Sequence, residues 1–307
     1  MEQSVTRRRT AQVRKDRVIS AALVVFAFLW LLPIIWTLWS SFRPYSEVLD
    51  DGLFSLPDRF TLGNYRSALE KMAVIRYFIN TLIILIPSVF FVLFFGSLIA
   101  FSISKYKIKY KKSLLLAFTA GSMLPAQFIY YPIFKMYIAF GGALGDKTLL
   151  YDNYIGVILV HIAVQTGFAT FVLHSHLESI PKELSEAAQV DGASVLRHYF
   201  SIILPMLKAP IAALGIMMSV WIYNDFFWAW SLLKRDQFFP ITTSLTRVGA
   251  FARIIPDQNV LAAGAILVAM PLLILYLTMK RHFTMSMMLT NAKAVPAALN
   301  TLDKSTH

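Results

Sequence analysis

The sequence contains no cysteine and few charges. The absence of cysteine from all 307 residues excludes disulfides, thiolate metal sites, iron–sulfur clusters and cysteine nucleophiles. Charged residues make up 15% of the chain, against about 25% in a soluble domain. Hydrophobic residues make up 57%, and the mean hydropathy is +0.60. That balance excludes an ordinary soluble protein and points to a membrane protein. The net charge of +12 raises the question of nucleic acid. No basic patch is interleaved with exposed aromatics in a foldable soluble domain, so the reading is no nucleic acid. Basic residues in a membrane chain anchor loops on one side of the bilayer.

What the chain has instead is long apolar runs. Six are long enough to span, since a spanning helix needs about 20 mostly apolar residues: Val18–Ser40, Tyr77–Ser104, Ser113–Phe134, Asn153–Leu173, Ala209–Leu233 and Val260–Met279. The expected fold is an all-α membrane protein with six transmembrane helices. Pro33 and Pro87 fall inside runs, where neighbouring helices or water satisfy the freed carbonyls. An even number of spans puts both termini on one side. That side would carry Arg7, Arg8, Arg9, Arg14, Lys15 and Arg17, the run KYKIKYKK, then Lys182, Arg197 and Lys208, and the basic residues of the tail. These are most of the 29 Lys and Arg residues, so both termini are expected to be cytoplasmic. The first run is too long for a signal-peptide core and no small-residue cleavage site follows it. The expected organisation is a basic N-terminal segment over 1–17, a transmembrane domain over 18–281 and a cytoplasmic tail over 282–307.

Chemical motifs fail when tested. GGALGDKT at Gly141–Thr148 resembles a phosphate loop, but the second glycine that pattern needs is Asp146, and a turn is expected. His174 and His176 are two apart and point in different directions on a helix, which excludes a shared metal. No paired carboxylates lie inside the runs and there is no nucleophile elbow, so no catalytic residue, no metal site and no enzyme activity are expected. Proton-driven carriers use several intramembrane ionisable groups. Here the runs offer Asp225 alone, which counts against a stand-alone secondary transporter.

One polar stretch stands apart. Ser185–Pro205 reads SEAAQVDGASVLRHYFSIILP. Pro181 suits the first turn of a helix, and Glu183 and Glu186 near that start favour its dipole. Ala187 and Ala188 make a small close-approach surface. Asp191-Gly192 stops the helix, with Gly192 taking the left-handed conformation. A second helix follows, with Val195, Leu196, Tyr199, Phe200 and Ile203 at helical spacing, and Pro205 ends it. A helix against lipid headgroups is the plain reading. The first helix is small and acidic, however, which suits a protein groove better than anionic lipid. It also leads directly into an apolar run, so a push on it would move the membrane domain.

This stretch resembles the EAA signature of ABC importer permeases: Glu186, Ala187, Ala188, three residues, Gly192, nine residues, then Ile202, Leu204 and Pro205. SSFRPYSEV, FTLGNY, FINTL, LPAQFIYYPIF and YNDFFWAWSLL are similar to the second permease of the carbohydrate-uptake branch, the maltose-transporter type. The resemblance implies a cytoplasmic coupling helix–turn–helix, loop 178–205, seated in an ATPase. It also implies a second permease, two copies of a cytoplasmic ATP-binding subunit, an extracytoplasmic solute-binding protein, and a bacterial inner membrane. ATP and magnesium would belong to the ATPase, with no cofactor on this chain. The implied function is a binding-protein-dependent importer of sugars, oligosaccharides in particular. The alternatives are a secondary transporter, or a permease for a non-sugar solute such as a sugar phosphate or polyamine.

For the pathway, Asn224, Asp225, Phe227 and Trp228, with Trp230, fall together. They read either as part of the path or as an interfacial aromatic belt with a solvated acid. After them, Lys234, Arg235, Arg247 and Arg253 outnumber Asp236 and Asp257. That imbalance reads as docking to an acidic binding protein, as pairing with nearby acids, or as a funnel for an anionic sugar.

Overall fold

The computed structural model describes residues 2–52, 55, 58–71, 73–243, 246 and 258–278. Among them every regular element is a helix. The tail over 282–307, Arg247, Arg253 and Asp257 lie outside the described residues. The chain divides into two compact units, one of residues 1–72 and 247–267 and the other of 73–246 and 268–307.

In the first unit, α1 (Glu2–Ser41) is one helix that runs through the 17/18 boundary and through Pro33. Two short helices follow, α2 (Tyr45–Asp51) and α3 (Gly63–Lys71). They are held by Arg43, which is 1% exposed. Its guanidinium donates to the carbonyls of Gly52 at 3.0 Å and Glu47 at 3.1 Å, and to the hydroxyl of Ser55. Asn64 and Asn259 donate to the Arg43 carbonyl at 2.8 and 2.6 Å. A buried guanidinium is tolerable because its donors meet carbonyls.

The second unit is built around two long helices, α4 (Val74–Lys105) and α7 (Tyr154–Glu178). α4 continues through Pro87. The two pack closely because Gly96 leaves no room for a side chain against Ala169 and Thr170. Between them run α5 (Lys111–Ser122) and α6 (Ala126–Ala143), which meet at 95°. The run Ser113–Phe134 is therefore not one straight span. Pro125 caps α6 and disfavours helical backbone at Leu124, so the chain turns there.

The hairpin consists of α8 (Lys182–Val190) and α9 (Val195–Met206), the latter widened to a π-helix over His198–Ile203. Next come α10 (Lys208–Tyr223), bent 75° from α9, and the short α11 (Phe227–Leu232). Helix α12 (Gln258–Thr278) is the last one described. Among the described residues, four helices are long and apolar enough to cross a membrane, or up to six spans if each bent pair counts as one.

Candidate functional site

The hairpin is wired to the helical core by one half and open on the other. α8 ends as the sequence predicts. The Ala193 N–H donates to the Ala188 carbonyl at 2.9 Å, and Gly192 between them has φ +70°. This is the six-residue closure that needs a left-handed residue. α9 then starts on Ser194, whose hydroxyl accepts from the Arg197 N–H at 3.3 Å. Glu183, Glu186, Ala187, Asp191 and Gly192 are exposed, and so is Val190 at 87%. Ala188, by contrast, is 5% exposed. It faces inward, whereas Ala187 beside it faces out. Pro205 sits exposed in the last turn of α9.

The returning helix makes the connection. Tyr199 and Ile203 are buried with Phe101 and Val92 of α4, Leu173 and Leu177 of α7, and Leu214 and Met218 of α10. The Tyr199 hydroxyl lies 2.6 Å from the Ser97 hydroxyl. Phe101 meets His198 edge-on at 5.1 Å and Tyr199 at 5.4 Å. Lys105 closes the end of α7 by donating to the carbonyls of Leu177 at 2.9 Å and Ile180 at 3.1 Å. α9 is thus packed against three core helices, α4, α7 and α10.

The second feature is the break between α10 and α11. Asp225 occupies it, and its carboxylate accepts from the N–H groups of Trp228 at 3.2 Å and Ala229 at 3.1 Å. Its first role is thus to cap α11. The Asp225 carbonyl accepts from the Thr242 hydroxyl at 2.6 Å. The imidazole Nε2 of His161 lies 3.6 Å from the Asp225 carboxylate, with both side chains largely buried. The sequence reading counted Asp225 as the lone intramembrane ionisable group and passed over His161. A single histidine within the apolar run Asn153–Leu173 was the available signal. Thr81, His161, Ile222, Asp225 and Ala229 line a small cavity here. Of the other expected pathway residues, Trp228 is buried, Phe227 half-buried and Asn224 exposed. The Asn224 amide turns back to the Val220 carbonyl at 2.9 Å. Phe226 and Trp230 stack at 5.5 Å on the exposed side. The cluster therefore splits: Asp225 and Trp228 turn inward, and Asn224 and Trp230 do not.

The segment after α11 is bound tightly by polar groups the sequence reading missed. Asp152, with φ +58°, accepts at one carboxylate oxygen from the N–H groups of Lys234 at 2.7 Å and Arg235 at 2.9 Å. At the other it receives the Arg235 guanidinium at 2.6 Å. Burial raises the affinity of this carboxyl for a proton. The donated N–H groups of Arg235 and Lys234 and the guanidinium outweigh it and hold the pKa below the ordinary carboxylate value. Arg76 pairs with Asp236 at 2.5 Å, and Asn80 donates to the carbonyls of Gln237 and Phe239 at 2.8 and 2.9 Å. Arg235 and Asp236, counted in the charge imbalance, are thus committed to ion pairs within the chain. GGALGDKT ends α6 at Ala143 and then turns, with Asp146 accepting from both the N–H and the hydroxyl of Thr148.

Comparison with known proteins gives these residues their context. The chain is 26% identical over 262 residues to the diacetylchitobiose uptake system permease protein NgcG of Streptomyces coelicolor, covering 85% of this chain and 84% of that one. It is 25% identical over 275 residues to the melibiose/raffinose/stachyose import permease protein MelC of Bacillus subtilis, covering 90% and 96%. The fold is similar to that of a chain in the crystal structure of a bacterial ABC transporter involved in the import of the acidic polysaccharide alginate. There the TM-score is 0.74 and the identity 22%, with 88% of this chain and 97% of that chain covered. The family model described as binding-protein-dependent transport system inner membrane component matches residues 7–288, and the chain belongs to that family.

Proposed function

We propose that this permease imports sugars, oligosaccharides in particular, by forming half of a translocation path with a second permease subunit. Two copies of a cytoplasmic ATP-binding subunit drive it, and an extracytoplasmic solute-binding protein delivers the sugar. ATP and magnesium act on the ATP-binding subunit, and this chain holds neither. Six spans are counted by taking α5 with α6, and α10 with α11, as one span each. Both termini are cytoplasmic, with 1–17 and 282–307 flanking a transmembrane domain over 18–281. Loop 178–205 is then cytoplasmic, and Glu183, Glu186, Ala187, Asp191 and Gly192 meet the ATPase, with Ala188 and Pro205 shaping the hairpin beneath them. Asp225, Trp228 and Phe227 stand beside the path.

The observation that carries this reading is the hairpin itself: an open acidic face on α8 and an inner face of α9 packed into α4, α7 and α10. The relatives' names supply the solute class, since they are permeases for diacetylchitobiose and for melibiose, raffinose and stachyose. The test is the purified complex in liposomes, with ATPase stimulation measured across a panel of binding-protein-loaded sugars. Stimulation by an oligosaccharide, lost in Glu186→Lys, is expected. Stimulation by polyamines or sugar phosphates alone would replace the sugar reading.

A further inference from the structure

The ten residues 104–113, which take in the end of α4, the link to α5 and the first turn of α5, carry five lysines. Lys105 is bound to the end of α7. Lys107, Lys109, Lys111 and Lys112 are exposed, and none forms an ion pair with a described residue. This loop and α8 enclose a groove of about 1250 Å³ lined by the lysines, Ser113, Ser185 and Glu186. Glu186 supplies the one negative charge in that lining.

Two further observations converge on the groove. α5 begins at Lys111 without a side-chain cap, behind Tyr110 at φ +60°, and has no acid in its first turn. Its leading N–H groups therefore have no side chain to meet them. Ser185 is 5% exposed, its hydroxyl finds no hydrogen-bond partner among the described residues, and it lines the same groove. A buried hydroxyl without a partner is costly and wants an acceptor from outside the chain. A helix N-terminus, an orphan hydroxyl and a rim of ammonium groups together match a phosphate, which accepts at several oxygens and carries negative charge.

We propose that this groove binds a phosphate group, carried by an anionic lipid headgroup or by a soluble phosphorylated compound, at the root of the coupling hairpin. The inference rests on the orientation given above, which sets the α4–α5 loop at the cytoplasmic headgroup level. A bound phosphate would bridge the loop to Ser185 of α8 and stiffen the hairpin against the ATPase stroke.

The test uses the complete complex in nanodiscs of phosphatidylcholine, with or without phosphatidylglycerol, and inorganic phosphate as the soluble probe. Retained phosphatidylglycerol is counted by native mass spectrometry after extraction. Protection of the loop lysines from an amine-acylating reagent is read in phosphatidylcholine discs with and without inorganic phosphate. A lipid source predicts retention that falls about fivefold for each lysine removed, in Lys109→Gln and Lys111→Gln, and several-fold in Ser185→Ala, with the phosphate arm flat. A soluble source predicts protection by inorganic phosphate that Ser185→Ala weakens, with no retained lipid. Neither effect, or effects that ignore all three substitutions, overturns the proposal. So does shielding of the lysines that appears only when the ATPase is bound, since the groove would then be an ATPase contact. ATPase co-purification is read in the same samples. Its absence in the unaltered complex defeats the docking of α8, whereas normal co-purification without phosphate binding defeats this inference alone.

Discussion

The hydroxyl of Tyr199 lies 2.6 Å from that of Ser97, joining the returning helix of the hairpin to α4, with both residues 1% exposed. This bond ties α9 to the core at the level where it widens to a π-helix, a feature that recurs at functional sites. Tyr199→Phe keeps the ring and removes the link, at an expected cost of about 1 kcal/mol. The complex should assemble, but more ATP should be hydrolysed per sugar imported. The check is the ratio of the two rates in one liposome preparation. An unchanged ratio would mean that the apolar packing transmits the stroke unaided.

Gly192 has open space around its α-carbon and φ +70°. Any penalty on substitution therefore comes from the backbone, at about 1–2 kcal/mol for an ordinary L-residue. Gly192→Val should lower ATPase co-purification and transport while leaving membrane insertion intact. Gly192→Asn, which tolerates the left-handed region, should restore most of both. Equal behaviour of the two variants would remove the conformational argument.

The turn at Gly192 was legible because its cause is local: a helix followed by an Asp-Gly stop. The apolar runs were legible for the same reason. The break at Leu124–Pro125 carried a local signal too, but run length masked it, since an uncharged stretch reads as one span. Ala188 and Ala187 are indistinguishable in composition, and only the packing of α8 separates the inward one from the outward one. Asp152 and His161 were out of reach for a different reason. Their partners, Arg235 and Asp225, are remote in sequence, and spacing carries no record of such pairs.

Gly167 tests the helical frame. A β-carbon there would run into the Phe118 carbonyl and the Ser122 hydroxyl of α5. Gly167→Val should separate α5 from α7, with a cost of about 1–3 kcal/mol for overpacking. The expected result is a lower melting temperature for the solubilised complex and loss of transport. A melting temperature equal to that of the unaltered protein would mean that this close approach is not needed.

Asp225 has two roles that substitution separates. Asp225→Ala loses the cap on α11, worth about 1 kcal/mol, and leaves His161 without its neighbour. Asp225→Asn keeps an oxygen that can accept from the Trp228 or Ala229 N–H but removes the charge. If capping is the whole role, Asn should restore uptake almost fully. If the charge facing His161 serves the pathway, Asn should assemble normally and still transport poorly. Uptake by both variants at the unaltered rate would return this cluster to interfacial anchoring.

Asp152 sets the acid limit of the segment that follows α11. Its folded pKa is held below the ordinary carboxylate value because the donated N–H groups and the Arg235 guanidinium outweigh burial. A depressed carboxylate contributes stability that is fully present above the unfolded pKa of about 3.9 and is lost as pH falls through the lower folded value. The Lys234–Arg235 amides should therefore be equally protected from hydrogen exchange between about pH 5 and 8, after correction for intrinsic rates, and open only below about pH 4. Asp152→Asn removes the charge-assisted bonds, worth about 2 kcal/mol together with the partner left unpaired. It should loosen the segment at every pH and abolish the acid transition. Arg235→Gln should give a partial effect, because the two backbone N–H donors remain. Protection that persists unchanged to pH 3 in the unaltered protein would show that the ionised carboxylate is not what anchors this segment.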